Sequence, residues 1–165
     1  MKTAIPLKYL PKRLTRTDRK IAATELAKSR RLYKRGKYYT RRQVASYPHH
    51  KSHHISNAER IYKTQHIRPS RELAAKTGCS IKALQAIVKK GQGAYFSSGS
   101  RPNQTAHSWG YARLASAITG GKSAVVDFSI LDKGCNHKTS KAYKMALKAK
   151  TIKRRHTRKT KVTTN

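Results

Sequence analysis

Along residues 17–36, apolar positions recur at helical spacing. Ala22, Ala23, Leu26, Ala27 and Tyr33 form a thin stripe, while Arg19, Lys20, Lys28, Arg30, Arg31, Lys34 and Arg35 occupy the other faces. The pattern predicts a helix with Thr17 as its cap, Asp18 at the positive end of its dipole and Gly36 as its stop. Ahead of it, residues 1–16 hold Pro6 and Pro11 and read as an irregular basic arm. Residues 68–91 predict a helix, a tight turn and a second helix. Ser70 and Ser80 are the caps, Gly78 supplies the left-handed turn, and Leu73, Ala74, Leu84, Ile87 and Val88 form the apolar face. Residues 105–121 predict a helix anchored by Trp109 and ended by Gly120 and Gly121. In "SAVVDFSIL" (123–131) Val126, Phe128 and Ile130 alternate with other positions, which predicts a half-buried strand; "GAYF" (93–96) is a candidate second strand. A short helix is expected over 140–150. The expected fold class is α+β: a small helix-rich core with a short sheet over 70–134, flanked by a basic helical arm (1–69) and a disordered basic tail (135–165).

Charge changes what these elements are for. The 165 residues hold 39 Lys and Arg against 6 Asp and Glu, a formal net charge of +33. Residues 1–69 carry 19 basic and 3 acidic residues, residues 70–134 carry 9 and 3, and residues 135–165 carry 11 and 0. Such an excess repels itself in a compact chain, so a polyanion is the expected partner. Nucleic acid comes first, DNA ahead of RNA, with acidic capsid proteins as a further partner. No stretch approaches the roughly 20 apolar residues of a membrane span, and the start "MKTAIPLKYLPKR" lacks an apolar run of signal-peptide length. Cys79 and Cys135 alone make no disulfide framework. A reduced, intracellular and non-secreted protein is therefore expected.

Each chemistry-bearing motif also has a plainer reading. Ala74, Gly78, Leu84 and Ile87 match the spacing of a DNA-binding helix-turn-helix, with Ser80, Lys82, Ala83 and Gln85 on the recognition helix; many helical hairpins share that spacing. "KYYTRRQVASYPHHKSHHISNAERIY" (37–62) mixes aromatics with cations, which suits base stacking beside phosphate contact, with Tyr38 and Tyr39 as candidates. Core packing of the same tyrosines is the alternative. Ser97, Ser98, Gly99, Ser100 and Arg101 form a candidate anion loop ahead of a helix. The alternative there is a tight connection whose Arg101 meets Asp127 or Asp132. "GGKS" (120–123) is not a phosphate-binding loop, because Ser116 stands where that loop needs Gly and the strand–helix order is reversed. "HHKSHH" (49–54) offers metal-ligand residue types without the convergent set a metal needs, and the two cysteines are too isolated for a zinc knuckle. "GQGAYFSS" followed by "AVVDFSI" faintly echoes ADP-ribosyltransferases, but that family's His-Gly element and later catalytic Glu are not found. No cofactor and no metal are expected.

The run "KKGQGAYFSSGSRPNQTAHSWGYARLASAITGGKSAVVDFSILDKGC" (89–135) resembles a family of small basic proteins of unknown function. They come from large double-stranded DNA viruses, especially those infecting algae and protists. A shorter version of "SSGSRPNQTAHSWGYAR" is similar to runs in tailed phages. The resemblance implies a viral origin and transfers no catalytic residue.

The expectation is then a virus-encoded, virion-associated protein that binds the phosphate backbone with little sequence specificity. It would act in the virion and the infected host cell. Phosphate contacts are expected from Arg30, Arg31, Arg35, Arg41, Arg42, Lys82, Arg101, Lys153, Arg154 and Arg155. A minor capsid or cementing protein is the alternative, and an enzyme acting on nucleic acid or nucleotide at Ser97–Arg101 a remote one; an enzyme is the less favoured class.

Overall fold

The computed structural model describes residues 2–152 and 159–163, which fall into two units. Of these, the first gathers residues 2–50, 93–106 and 159–163; the second gathers 51–92 and 107–152. These groupings cut across the charge-based segments 1–69, 70–134 and 135–165.

In the first unit, β1 (Lys2–Pro6) pairs antiparallel with β2 (Lys159–Thr163), in a register that sets Ala4 opposite Lys161. Helix α1 (Arg16–Lys34) follows. Its cap is Thr15 rather than Thr17: the Asp18 N–H donates to Thr15 Oγ1 at 3.2 Å. Asp18 itself accepts the Ser46 N–H at 2.8 Å, so it anchors the segment after the helix as well as facing the dipole. Gly36 takes the expected left-handed turn, φ 72°. Residues 1–16 are more than an irregular arm. Ile5, Tyr9, Leu10 and Leu14 are buried with Ala23, Leu26, Val44 and Tyr95, which is why the thin stripe of α1 suffices.

The second unit is helical: α2 (His53–Tyr62), α3 (Arg71–Thr77), residues 81–92 of α4 (Ile81–Ser97), α5 (Ala106–Ile118), α6 (Lys122–Val126), α7 (Phe128–Gly134) and α8 (Lys141–Thr151). The serine caps form as expected. Ser70 Oγ accepts from Leu73 N and Ser80 Oγ from Ala83 N; Ser140, not singled out from the sequence, caps α8 in the same way by accepting from Tyr143 N. Gly78 turns the chain at φ 71°. Leu73, Leu84, Ile87, Leu114, Ile118 and Leu131 are fully buried. α4 and α5 cross at glycines: a Cβ on Gly91 would lie 2.6 Å from Gly110 Cα.

Three expectations are corrected. The strands at 93–96 and 123–131 are helices, so the short sheet is β1–β2 and not part of a 70–134 core. The buried positions are Ala124, Asp127 and Leu131, at helical spacing, whereas Val126 is 66 % exposed. Asp127 belongs to that buried face because Arg113 donates to it from Nε at 2.7 Å and Nη2 at 2.8 Å, and Lys90 Nζ lies at 3.3 Å. An ion pair therefore hid the helical period. Trp109 is only half-buried, and α5 packs through Gly110, Leu114, Ala115, Ala117 and Ile118. Finally, Cys79 and Cys135 are joined in a disulfide rather than left as reduced thiols. A two-residue antiparallel bridge brings them together: Ser80 N–H donates to Gly134 O and Asn136 N–H to Gly78 O, both at 2.8 Å. Disulfides of this kind persist in oxidising surroundings.

Two stability tests follow from this unit. The disulfide spans a sequence separation of 56. Reducing it should cost about 4 kcal/mol, read as a lower urea midpoint with dithiothreitol than without. The buried Tyr62 hydroxyl donates to Ile118 O, and burial raises its pKa above the usual value of 10.0. The unfolded chain therefore releases this proton first, and stability falls as pH rises above about 10. Tyr62→Phe should cost about 1–2 kcal/mol at neutral pH and recover part of the difference above pH 10, as measured by denaturation across a pH series.

Candidate nucleic-acid interface

Six carboxylates serve 39 cations, and each carboxylate is engaged locally. Asp18 accepts from Ser46, whose hydroxyl and backbone N–H hold its carboxyl below the ordinary range. Glu25 is buried and accepts the Tyr39 hydroxyl and the Arg42 N–H, each at 2.9 Å. Glu59 pairs with Lys51, and Glu72 pairs with Lys76, whose ammonium lowers its pKa. Asp127 takes Arg113 and Lys90, while Asp132 meets His137 and Tyr143. Among the described residues, only four Lys or Arg side chains thus lie in ion-pair contact with a carboxylate. Other described cations rest on neutral acceptors, as Arg19 and Arg30 do, lie over rings, as Lys28 and Lys150 do, or are exposed, as Arg31 and Lys82 are.

Arg41, expected at phosphate, is held inside the first unit. Its Nη1 donates to Tyr95 O at 2.7 Å and to Ser29 Oγ at 3.0 Å, and its Nη2 donates to Ser100 Oγ at 2.7 Å. The guanidinium lies 3.8 Å from the Tyr95 ring centroid, and its backbone N–H donates to the Tyr95 hydroxyl. Burial pulls its pKa below the ordinary value. Arg30 is similarly occupied: Nε and Nη2 fork onto Ser98 O at 2.8 and 2.6 Å. This places a cation at the negative C-terminal end of α4.

That contact also recasts the serine-rich loop. Ser97 ends α4 and residues 98–101 form the connection after it, separated from α5 by residues 102–105. The Ser98 and Gly99 N–H groups both donate back to Ala94 O at 2.9 Å, and Ser100 Oγ is spent between Arg41 and Arg101 O. Gly99 is buried at φ 131°, where a Cβ would strike Leu26 Cδ2 at 2.6 Å. The loop is thus a tight connection clasped by Arg30 and Arg41. Its Ser97, Ser98 and Arg101 side chains face solvent. The structure does bring Arg42 and Arg101 together on one shallow cleft, which Glu25, Ser100 and Asn103 also line.

Exposed cations of this unit stand around the start of α1, at Lys12, Arg13, Arg16 and Lys20, and on its last turns and just beyond, at Arg31, Lys34, Arg35 and Lys37, with Arg42 further on. In the second unit, Lys82 is exposed on the first turn of α4. Ala83, placed beside it on the expected recognition helix, is buried against Gly134. A face not singled out from the sequence lies on α8. Lys141, Lys144 and Lys148 are exposed at helical spacing, opposite buried Ala142, Ala146 and Ala149. The period was legible, but the acid-free tail drew attention to total charge instead. Lys153, Arg154 and Arg155 lie outside the described residues. Among the described residues no group of three or more His, Cys, Asp or Glu side chains could hold a metal. None of their helices is long and apolar enough to cross a membrane.

Tyr39 and Tyr38 part company. The Tyr39 hydroxyl is committed to Glu25, and Lys28 Nζ covers its ring at 4.2 Å. Tyr38 is 75 % exposed and stands against Phe96 and Tyr33, with ring centroids at 5.0 and 6.2 Å. Tyr33 and Phe96 were not expected there.

Arg41 is consequently a structural residue whose loss exposes its role. Arg41→Lys keeps the charge but loses the fork and the ring stacking. It should lower stability by about 3 kcal/mol, measured by chemical denaturation, whereas Arg35→Lys should stay within about 0.5 kcal/mol of the parent.

No curated protein and no solved structure matches this chain. A family model does match it over residues 6–135, most of its length, and its description is that of a family of unknown function. The chain belongs to that family, DUF5824.

Proposed function

We propose that the protein binds nucleic acid through the phosphate backbone with little sequence specificity, DNA ahead of RNA. The observation that carries this reading is the fate of the acids. All six are consumed locally, so the exposed side chains of Arg31, Lys34 and Arg35 on α1, Lys82 on α4 and Lys141, Lys144 and Lys148 on α8 have no carboxylate partner among the described residues. A phosphate polyanion supplies the missing countercharge and releases its own condensed counterions on binding. Arg31, Arg35, Arg42, Lys82 and Arg101 present exposed side chains for it, and Lys141, Lys144 and Lys148 add a second basic face. Arg30 and Arg41 leave the list of phosphate contacts, because their guanidiniums are already satisfied inside the first unit. The likeness to small basic proteins of large double-stranded DNA viruses supports a viral genome as the polyanion, with the protein carried in the particle.

Binding to a duplex should weaken steeply with salt, by about 0.9 log units of affinity per log unit of salt for each phosphate contact. Replacing Lys141, Lys144 and Lys148 together by Ala should flatten that slope by up to about 3 without changing which sequences bind. A titration of labelled duplex DNA and RNA across a salt series reads both effects. Weak binding to every nucleic acid at physiological salt would overturn the proposal and direct attention to acidic capsid proteins.

A further inference from the structure

The aromatic cluster at the end of α1 has no role in the fold that explains its exposure. Tyr38 is 75 % exposed and Tyr33 36 %. Burying such rings is normally favourable, and an aromatic ring offers more apolar area than most side chains. Yet these rings meet each other and Phe96 rather than the core. Tyr33 and Phe96 are near parallel, with an interplanar angle of 6° and centroids 6.5 Å apart, and Tyr38 tilts at 51° against Phe96. The arrangement holds an aromatic surface in place while leaving the Tyr38 ring open to solvent. Among the described residues the Tyr38 hydroxyl makes no hydrogen bond, so the ring is positioned by its aromatic neighbours. Arg31, Lys34, Arg35 and Lys37 lie within the same short stretch of chain, all exposed and none paired with a carboxylate.

We infer that Tyr38, backed by Tyr33 and Phe96, is a stacking platform for unpaired bases, and that this face of the first unit takes single-stranded nucleic acid. The inference rests on the phosphate-binding reading and adds the strand type. Cations alone would draw any polyanion. An open aromatic ring beside cations adds affinity only where a base has a free π-face, which a duplex keeps buried in its own stack. The sequence-tolerant character of stacking agrees with binding that lacks a base code. Tyr39, by contrast, has its ring face covered by Lys28 and its hydroxyl engaged, so it is not part of the platform.

The test uses the full chain and three fluorescent probes of equal length: oligothymidylate, the same backbone with abasic sites, and a blunt duplex. The parent protein should bind oligothymidylate more tightly than the abasic strand. Tyr38→Ala should weaken oligothymidylate binding about five- to a hundredfold, the loss expected for one stacked base. Abasic and duplex binding should stay within about twofold, since those contacts are to phosphate. Tyr38→Trp should retain oligothymidylate binding. An unchanged melting temperature for both variants is expected from the exposure of the side chain. Equal affinity of the parent for oligothymidylate and abasic strand, or an equal loss on all three probes in Tyr38→Ala, overturns the platform while leaving the phosphate reading standing. Failure of the parent to bind any of the three overturns both.

Discussion

The Arg41 guanidinium ties the first unit together. It joins a helix, the end of another helix and a loop, through Ser29, the Tyr95 carbonyl and Ser100. In most proteins a guanidinium so placed would face a carboxylate. With six acids in the whole chain, this protein satisfies it on neutral oxygens and a ring face instead. The same solution recurs at Arg30 on Ser98 O and Arg19 on Pro11 O. A strongly cationic chain can therefore fold without neutralising itself, and the charge that remains outside stays available to a partner.

The second unit spends its scarce acid differently. Asp127 is fully buried and draws Arg113 and Lys90 toward it. Around that ion pair, close helix approaches are made possible by small residues: Gly91 on Gly110, Gly134 on Ala83 and Gly78 on Ser140. The Cys79–Cys135 bond pins the α3–α4 turn to the segment after α7. That turn has the spacing of a helix-turn-helix, but here it is tied into a second strand of backbone, which gives its glycine and serine a structural use.

Function then follows from what is left over. Internally engaged guanidiniums hold loops, while exposed cations include a set beside an aromatic surface on the first unit and a lysine face on α8. The serine-rich run that looks most like a site is occupied by the protein's own cations. Its backbone donors close a helix rather than reaching for an anion. Exposed Arg31, Tyr33, Lys34 and Arg35 lie on the last turns of α1, where the sequence shows only a basic, weakly apolar helix.

Helices with strong local signals were legible in the sequence: α1, α3, the start of α4, α5 and α8 all carry caps, turns or periodicity that act within a few residues. The charge imbalance was equally a property of composition. What only the tertiary structure decided were the pairings between distant residues. The helical face through Asp127 is invisible until Arg113 makes a buried carboxylate tolerable. The Tyr95 end of α4 reads as a strand until Gly91 is understood as a crossing point rather than a break. The division of the arginines into internally engaged and exposed ones, and of Tyr38 from Tyr39, depends on partners far away in the chain, such as Ser98, Phe96 and Glu25. Local propensity is written in neighbouring residues, whereas burial is set by whichever side chains the folded backbone brings opposite.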